Sequence, residues 1–202
     1  MVHIFDHLAV EFPEKAVFLR LGGHCSKTGL TERERWQFMQ HSRQAFTLCE
    51  PCGRWKCLKI SAAGLDHIET EKGILSLGRD FCKTAGTASH LWCGAATIGS
   101  KLVVSRDELD SISASAVYDA VGSECADAAL DMLFALSRSE LLRRGMMLSE
   151  RRFSPGYGDM PLSLQNFFYS ELDMAQMQVT ITENCFFVPE KTVTAFAFIH
   201  TL

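Results

Sequence analysis

The feature that most restricts the fold of this chain is one long amphipathic helix, predicted within residues 107–144. Small and apolar side chains recur there at three- and four-residue steps, as on the buried face of a helix. They are Val117, Ala120, Val121, Cys125, Ala128, Met132, Leu133 and Leu136. Strand-like runs lie on both sides of this helix, at residues 91–99 and 192–199. One long helix between buried strands indicates an α+β fold.

Shorter elements are predicted in the rest of the chain. Thr31 followed by Glu34 has the spacing of a capping box, which marks the start of a helix. Helices are expected over 31–48, 78–89 and 162–170. Alternating or β-branched runs predict strands over 3–10, 15–21, 55–60, 74–77 and 178–182. Since no linker or repeat separates these elements, we expect a single domain over residues 1–202.

Charge and composition exclude several classes of protein. The 202 residues include 20 Lys and Arg against 24 Asp and Glu, a net charge of −4. This balance argues against a protein held to nucleic acid or to anionic membranes by charge. The sequence has no apolar run of about 18 residues and no secretory signal, so we expect a cytoplasmic protein with reduced cysteines.

The most unusual stretch is the loop 152–157, Arg-Phe-Ser-Pro-Gly-Tyr. The planar fork of Arg152 suits a carboxylate, Gly156 lets a ligand approach the main chain, and Tyr157 offers a flat face. Together they suit a small ligand that carries a carboxylate and a flat ring. From residue types alone, however, a rigid surface loop with a solvated arginine is the favoured interpretation.

Cysteines at positions 49, 52 and 57 form a second candidate site. Cys49 and Cys52 have the spacing at which two thiolates share a metal, and Cys57 follows closely. A complete site would need His41 or Cys25 as a further ligand. Because the sequence has no second C-x-x-C, reduced cysteines in a turn and a strand are favoured over a metal or iron–sulfur site.

Two carboxylates on the long helix share a face. Asp127 and Asp131 are four residues apart, so their side chains lie one turn from each other. The simple alternative is a solvated helix face. No G-x-S-x-G, Walker A or G-x-G-x-x-G motif is present, and no catalytic residue is predicted.

Four segments in order resemble the activation domain of cobalamin-dependent methionine synthase. The loop 152–157 fits that family's R-x-x-x-G-Y motif, and residues 91–99, 121–127 and 181–189 resemble the segments around it. The resemblance is clear mainly over residues 80–199. It implies an activation-domain-like α+β fold, in which helices pack around a twisted antiparallel sheet.

The resemblance also implies a ligand, S-adenosylmethionine, and a set of residues that bind it. Arg152 would hold the ligand's carboxylate, Ser154 and Gly156 would contact it through main-chain groups, and Tyr157 would line the pocket. Asp127 falls where the family has an acidic residue near the ligand's amino group. The family's tyrosine beyond the last strand has no counterpart in the sequence.

The role implied for the chain is that of a subunit in a cobalamin-dependent methyltransferase system. Such a module supports the reductive remethylation of cob(II)alamin, with an electron donor such as flavodoxin. The sequence lacks the D-x-H-x-x-G motif that binds cobalamin, so the corrinoid would arrive on a partner, such as a methionine synthase without its own activation domain. The alternative is a non-catalytic assembly protein for such a methyltransferase that has lost S-adenosylmethionine binding.

Overall fold

The computed structural model describes residues 1–23, 29 and 31–202. The strands in these residues are β1 Val2–Phe5, β2 Cys52–Ala63, β3 His67–Thr70, β4 Gly73–Ser76, β5 His90–Thr97, β6 Met146–Leu148, β7 Thr180–Ile181, β8 Phe187–Val188 and β9 Thr192–Thr201. The α-helices are α1 Glu14–Arg20, α2 Glu32–Thr47, α3 Arg79–Cys82, α4 Lys101–Asp107, α5 Ile112–Arg143 and α6 Gln165–Glu171. Short 3-10 turns occupy Leu162–Leu164 and Met174–Met177.

One antiparallel sheet organises the chain. Its strand order is β4-β3-β2-β5-β9-β6, and β1 pairs with β2 beside this path. The long strands β2, β5 and β9 form the centre, with Trp55 opposite Gly94 and Gly94 opposite Ala195. Strands β7 and β8 form a separate hairpin. The predicted α+β fold, with helices packed around an antiparallel sheet, is confirmed.

Each face of the sheet is covered by a different set of elements. Successive side chains on a strand point to opposite faces. On one face, Trp55 and Trp92 pack against Leu133 and Phe134 of α5. On the opposite face, buried side chains of the sheet pack with Phe81 of α3 and Phe168 of α6; they are Leu58, Leu91, Phe196 and Phe198. Each fully buried side chain of this size stabilises the fold by about 1.5–3 kcal/mol.

The long helix predicted from the sequence is α5. It begins after Ser111, whose hydroxyl accepts a hydrogen bond from the Ala114 N–H at 3.3 Å. It ends before Gly145, which has the positive φ of +71° that a glycine adopts readily. In the part of the chain that the structure describes, no helix combines the length and the apolar character needed to cross a bilayer.

The capping box predicted at the start of α2 is also present. The Thr31 N–H donates to Glu34 Oε2 at 2.8 Å, and the Glu34 N–H donates to Thr31 Oγ1 at 3.3 Å. The two side chains therefore satisfy N–H groups that the first turn of the helix leaves unpaired.

The two strands predicted near the N-terminus are largely wrong. Of the strand predicted over 3–10, only residues 3–5 lie in a strand, β1, and the second predicted strand is the helix α1. A short apolar run does not distinguish strand from helix by itself. Here Pro13 precedes the first turn, and Val17 is buried against α5 while Arg20 reaches the acidic residues of that helix.

Two further predictions were too long. The helix expected over 78–89 is limited to α3, and the chain turns at Gly86 with a φ of +50°. The strand expected over 178–182 is limited to β7, because Gln178 has a left-handed φ of +58°. The strands expected at 91–99 and 192–199 are confirmed as β5 and β9.

Candidate functional site

The loop that carries Arg152 is fixed to the edge of the sheet. The Phe153 N–H donates to the Phe196 carbonyl at 2.9 Å, and the Phe196 N–H donates back to the Phe153 carbonyl at 2.8 Å. The Phe153 ring meets the Phe81 ring edge-on, with 5.0 Å between the centroids. Arg152 therefore leaves a backbone held by β9 and by the core.

Beyond Phe153 the loop closes on itself. The Ser154 carbonyl accepts from the Tyr157 N–H at 3.2 Å, and the Gly156 N–H donates to the Met160 carbonyl at 3.0 Å. Gly156 has a φ of +89°, which explains why a glycine stands there. Since the Ser154 carbonyl and the Gly156 N–H bond within the loop, a ligand here would meet the other main-chain groups of these two residues.

A carboxylate at the end of the loop fastens it to α3. Asp159 accepts from the Arg79 N–H at 2.5 Å and from the Asp80 N–H at 3.4 Å. A Cβ on Gly78 would lie 2.4 Å from Asp159 Oδ1, so only glycine leaves room. Asp159 is not recognisable from the sequence, because its partners lie about eighty residues earlier and no local pattern links them.

The guanidinium of Arg152 lies between the loop and α5. It forms an ion pair with Asp131 and stands 5.7 Å from the centroid of the Phe134 ring. Phe134 in turn meets Trp92 edge-on at 5.0 Å, and a Cβ on Gly94 would lie 2.1 Å from the Trp92 ring. The arginine thus rests on a rigid aromatic stack built from the sheet and the helix.

Asp127 lies one turn before Asp131 on the same helix face. Arg20 of α1 approaches it, with Nη2 3.7 Å from Asp127 Oδ2, and also pairs with Glu124 at 2.5 Å. Burial raises the pKa of the Asp127 carboxyl, and the charge of Glu124 raises it further, while Arg20 and Arg152 act in the opposite direction. Arg152 and Asp127 therefore place opposite charges on one surface, where they can meet the two ends of a zwitterion.

Tyr157 is largely exposed to solvent. Its side chain is 78% exposed, while Ser154 is half-buried and Gly156 is exposed. The structure brings Arg152 and Asp127 to the same side of the molecule. Asp131, which the sequence placed one turn from Asp127 but gave no role, is the residue that engages Arg152.

The three cysteines considered as metal ligands are not brought together. Cys52 packs with the core on the α6 side of β2, whereas Cys57, five residues later, packs with the core on the α5 side. Cys49 follows α2, and its thiol lies 3.7 Å from the Ala45 carbonyl. Burial raises the pKa of Cys57 to about 12, which keeps its thiol protonated.

The other two candidate metal ligands, His41 and Cys25, do not add to the case for a metal site. The described residues contain no group of three or more histidine, cysteine or acidic side chains arranged for a metal. His41 lies half-buried on α2, and Cys25 lies outside the described residues. The structure does not bring Cys52 and Cys57 together, because β2 turns them to opposite faces.

Comparison with known proteins identifies a solved structure with a similar fold. No protein-family model and no curated protein matches this sequence. A solved structure that it resembles is the crystal structure of the MetH reactivation domain bound to AdoHcy, with a TM-score of 0.66 and 16% identity over 96% of this chain and 79% of that one. The chain therefore has the fold of a reactivation domain, as the resemblance of its four segments implied.

Proposed function

We propose that this chain binds S-adenosylmethionine and serves as a reactivation module for a corrinoid-dependent methyltransferase. Two findings support the proposal. The fold is that of a reactivation domain whose crystal structure contains AdoHcy. The observation that carries it is the placement of Arg152 and Asp127, of opposite charge, on one surface beside the loop 152–157.

The amino acid end of the ligand fits these two side chains. A carboxylate can bind the planar guanidinium of Arg152 through two hydrogen bonds, and an ionised Asp127 can hold the ammonium group. Asp131 already occupies Arg152 and must be displaced. This exchange replaces one carboxylate by another on the same guanidinium, and Asp131, 65% exposed, returns to water.

The flat end of the ligand suits the loop. Gly156 carries no Cβ, and the exposed ring of Tyr157 offers a face on which an aromatic base can stack. When bound, S-adenosylmethionine supplies an activated methyl group. The contribution of the chain is to hold and orient the ligand, so we assign it no catalytic residue and regard it as a subunit.

The open surface suits delivery of the ligand to a second protein. Tyr157 and Asp127 are both largely exposed, so a ligand that contacts them stays accessible from outside. We therefore propose a corrinoid-binding partner, such as a methionine synthase that lacks its own activation domain, and an electron donor such as flavodoxin. Cobalamin would be bound by the partner.

Calorimetric titration of S-adenosylmethionine into the purified chain tests the ligand. The native protein should bind saturably, and Arg152→Ala should weaken binding by at least about tenfold, since a charged bidentate contact is lost. Arg151→Ala is the matched control, because Arg151 is the exposed neighbour of Arg152. Absence of saturable binding at millimolar ligand, or equal weakening by both substitutions, would contradict the proposal.

One observation favours the alternative of an assembly protein without S-adenosylmethionine. The charge of Arg152 is already matched by Asp131, so the arginine does not require a ligand. In that case the exposed loop would contact a corrinoid protein directly. Complex formation with that protein that is unchanged by Arg152→Ala, in a chain that binds no S-adenosylmethionine, would support this alternative.

We further propose that residues 1–202 act as one domain. Strand β2, from the first 80 residues, pairs with β5 over Cys52–Lys59, and β5 pairs with β9 near the end of the chain. A fragment covering 81–202 should therefore fail to unfold cooperatively on heating, since β5 would have a free edge. A cooperative transition in that fragment would contradict a single domain.

A further inference from the structure

A second groove lies away from the candidate site. It encloses about 490 Å³ where β1 ends, β2 begins and β5 ends, and the turn at Met174–Met177 forms one wall. Its volume is in the range of sites for small molecules, about 300–1,000 Å³. The loop with Arg152 lies elsewhere, beside Phe196 on the β9 edge of the sheet.

A buried arginine lines this groove. Arg54 is 7% exposed, and its Nη1 donates to the carbonyls of Leu172 and Asp173 at 3.3 and 3.0 Å. The Asp173 carboxylate lies 3.5 Å from Nη1 but is itself 62% exposed. Among the described residues nothing accepts a hydrogen bond from Arg54 Nε. A buried donor without a partner is costly, so the guanidinium of Arg54 keeps hydrogen-bonding capacity that the described residues leave unused.

The rest of the groove limits which acceptor can enter. Asp6 and Glu50 also line it, and Lys101 lies 2.5 Å from Glu50. The Lys101 and Glu50 side chains are 62% and 58% exposed, so water screens this pair and Glu50 can still attract a cation. Burial raises the pKa of the Cys52 thiol, which therefore adds no charge. With Asp173, these carboxylates outnumber the single guanidinium. They repel ligands with several negative charges, such as phosphates, and favour a ligand that carries one carboxylate and one cationic group.

We propose that the Arg54 groove binds a small amino carboxylate. The carboxylate lies against the Arg54 guanidinium, and the ammonium group lies toward Asp6 and Glu50. The arginine supplies the hydrogen bonds that fix the acid end, while the two carboxylates select against simple acids. This site is independent of the one at Arg152, because each arginine faces a different set of elements.

A set of three four-carbon probes tests the proposal by amide chemical-shift titration of the full chain. 4-Aminobutyrate carries both charged groups, butyrate carries only the carboxylate, and n-butylammonium carries only the ammonium group. We expect 4-aminobutyrate to shift the amide signals of Gly53, Thr97 and Gln178 saturably, and to bind at least about tenfold more tightly than either other probe. Arg54→Gln should abolish these shifts, and Arg152→Ala should leave them unchanged.

A second variant tests the site without disturbing Arg54, which also holds the turn at Leu172 and Asp173. Replacing both Asp6 and Glu50 by their amides should reduce the preference for 4-aminobutyrate over butyrate to within about twofold. Glu183→Gln, an exposed substitution in the β7–β8 hairpin, is the matched control and should keep the preference. Unshifted groove amides at about 50 mM 4-aminobutyrate, equal binding of 4-aminobutyrate and butyrate, or a preference that survives the double substitution would each overturn the proposal.

Discussion

Asp131 on α5 and Arg152 on the loop after β6 form an ion pair over the ring of Phe134. This pair connects the longest helix to the loop that resembles a ligand-binding motif. It also occupies the guanidinium that our proposal assigns to the carboxylate of S-adenosylmethionine. Asp131 therefore competes with the ligand.

Removing the competitor should strengthen ligand binding. In Asp131→Asn the guanidinium of Arg152 loses its ionic partner, and we expect the affinity for S-adenosylmethionine to rise by about two- to tenfold. The unfolding free energy should change by less than about 1 kcal/mol, because Asp131 is 65% exposed. Calorimetric titration measures the first and chemical denaturation the second. Glu183→Gln serves as the control, and weaker binding in Asp131→Asn would contradict this role.

The pKa of Asp127 makes folding stability depend on pH. Burial and the charge of Glu124 raise it above the ordinary value of 3.8, and the nearby arginines Arg20 and Arg152 do not cancel this. The folded state therefore binds the proton more tightly than the unfolded state, so the contribution of Asp127 to stability falls as pH rises through its folded pKa. Asp127→Asn should remove this part of the fall. The melting temperatures of both proteins, measured between pH 3.8 and the raised folded pKa, give this difference. Parallel curves of melting temperature against pH would contradict the role of Asp127.

Binding should show the opposite trend with pH. The ammonium group of S-adenosylmethionine needs the ionised form of Asp127, so affinity should rise as pH rises through the raised pKa of this carboxyl. Calorimetry in two buffers of different ionisation enthalpy should detect proton release on binding in this interval. In Asp127→Asn the release should disappear and the affinity should be lower. Identical proton release in the variant would exclude Asp127 as the group that titrates.

The anchor at Asp159 should be important for both stability and binding. Asp159→Ala removes the acceptor for the N–H groups of Arg79 and Asp80, at a cost of about 1–2 kcal/mol in unfolding free energy. Because the loop is then free of α3, affinity for S-adenosylmethionine should also fall. Asp159→Asn keeps one acceptor oxygen, so it should lose less stability and less affinity than Asp159→Ala. If the alanine variant binds as the native protein does, the loop does not depend on this anchor.

The aromatic stack beneath Arg152 should set the position of the guanidinium. Phe134→Leu removes the ring that meets both Arg152 and Trp92, and should lower the unfolding free energy by about 1–3 kcal/mol. The affinity for S-adenosylmethionine should fall with it, because the Arg152 guanidinium loses the ring against which it lies. Val104→Leu, an exposed apolar substitution on α4, is the control. Unchanged affinity in Phe134→Leu would mean that Asp131 alone positions Arg152.

Periodic patterns and caps predicted much of the fold. The three- and four-residue spacing of α5 and the capping box of α2 are local signals, and both elements were found where expected. The helix α1 was missed because four consecutive apolar residues follow Lys15 and fit either type of element. Pro13, Glu14 and the terminal Gly22 were available as signals for a helix.

The candidate site was only partly readable in the sequence. The R-x-x-x-G-Y pattern singled out Arg152, and the spacing of Asp127 and Asp131 placed them on one helix face. The partners of the loop are far away in the chain, as with Arg79 for Asp159 and Trp92 beneath Phe134. The buried guanidinium of Arg54 depends in the same way on carbonyl groups more than a hundred residues later. No pattern within one segment encodes such contacts.

A crystal structure of this chain with S-adenosylhomocysteine is the most direct test of the proposed function. The account predicts that the ligand's carboxylate replaces Asp131 on the guanidinium of Arg152, with the ligand's amino group at Asp127 and its adenine beside Tyr157. A ligand bound elsewhere, or an Arg152–Asp131 pair that stays intact beside the bound ligand, would contradict it.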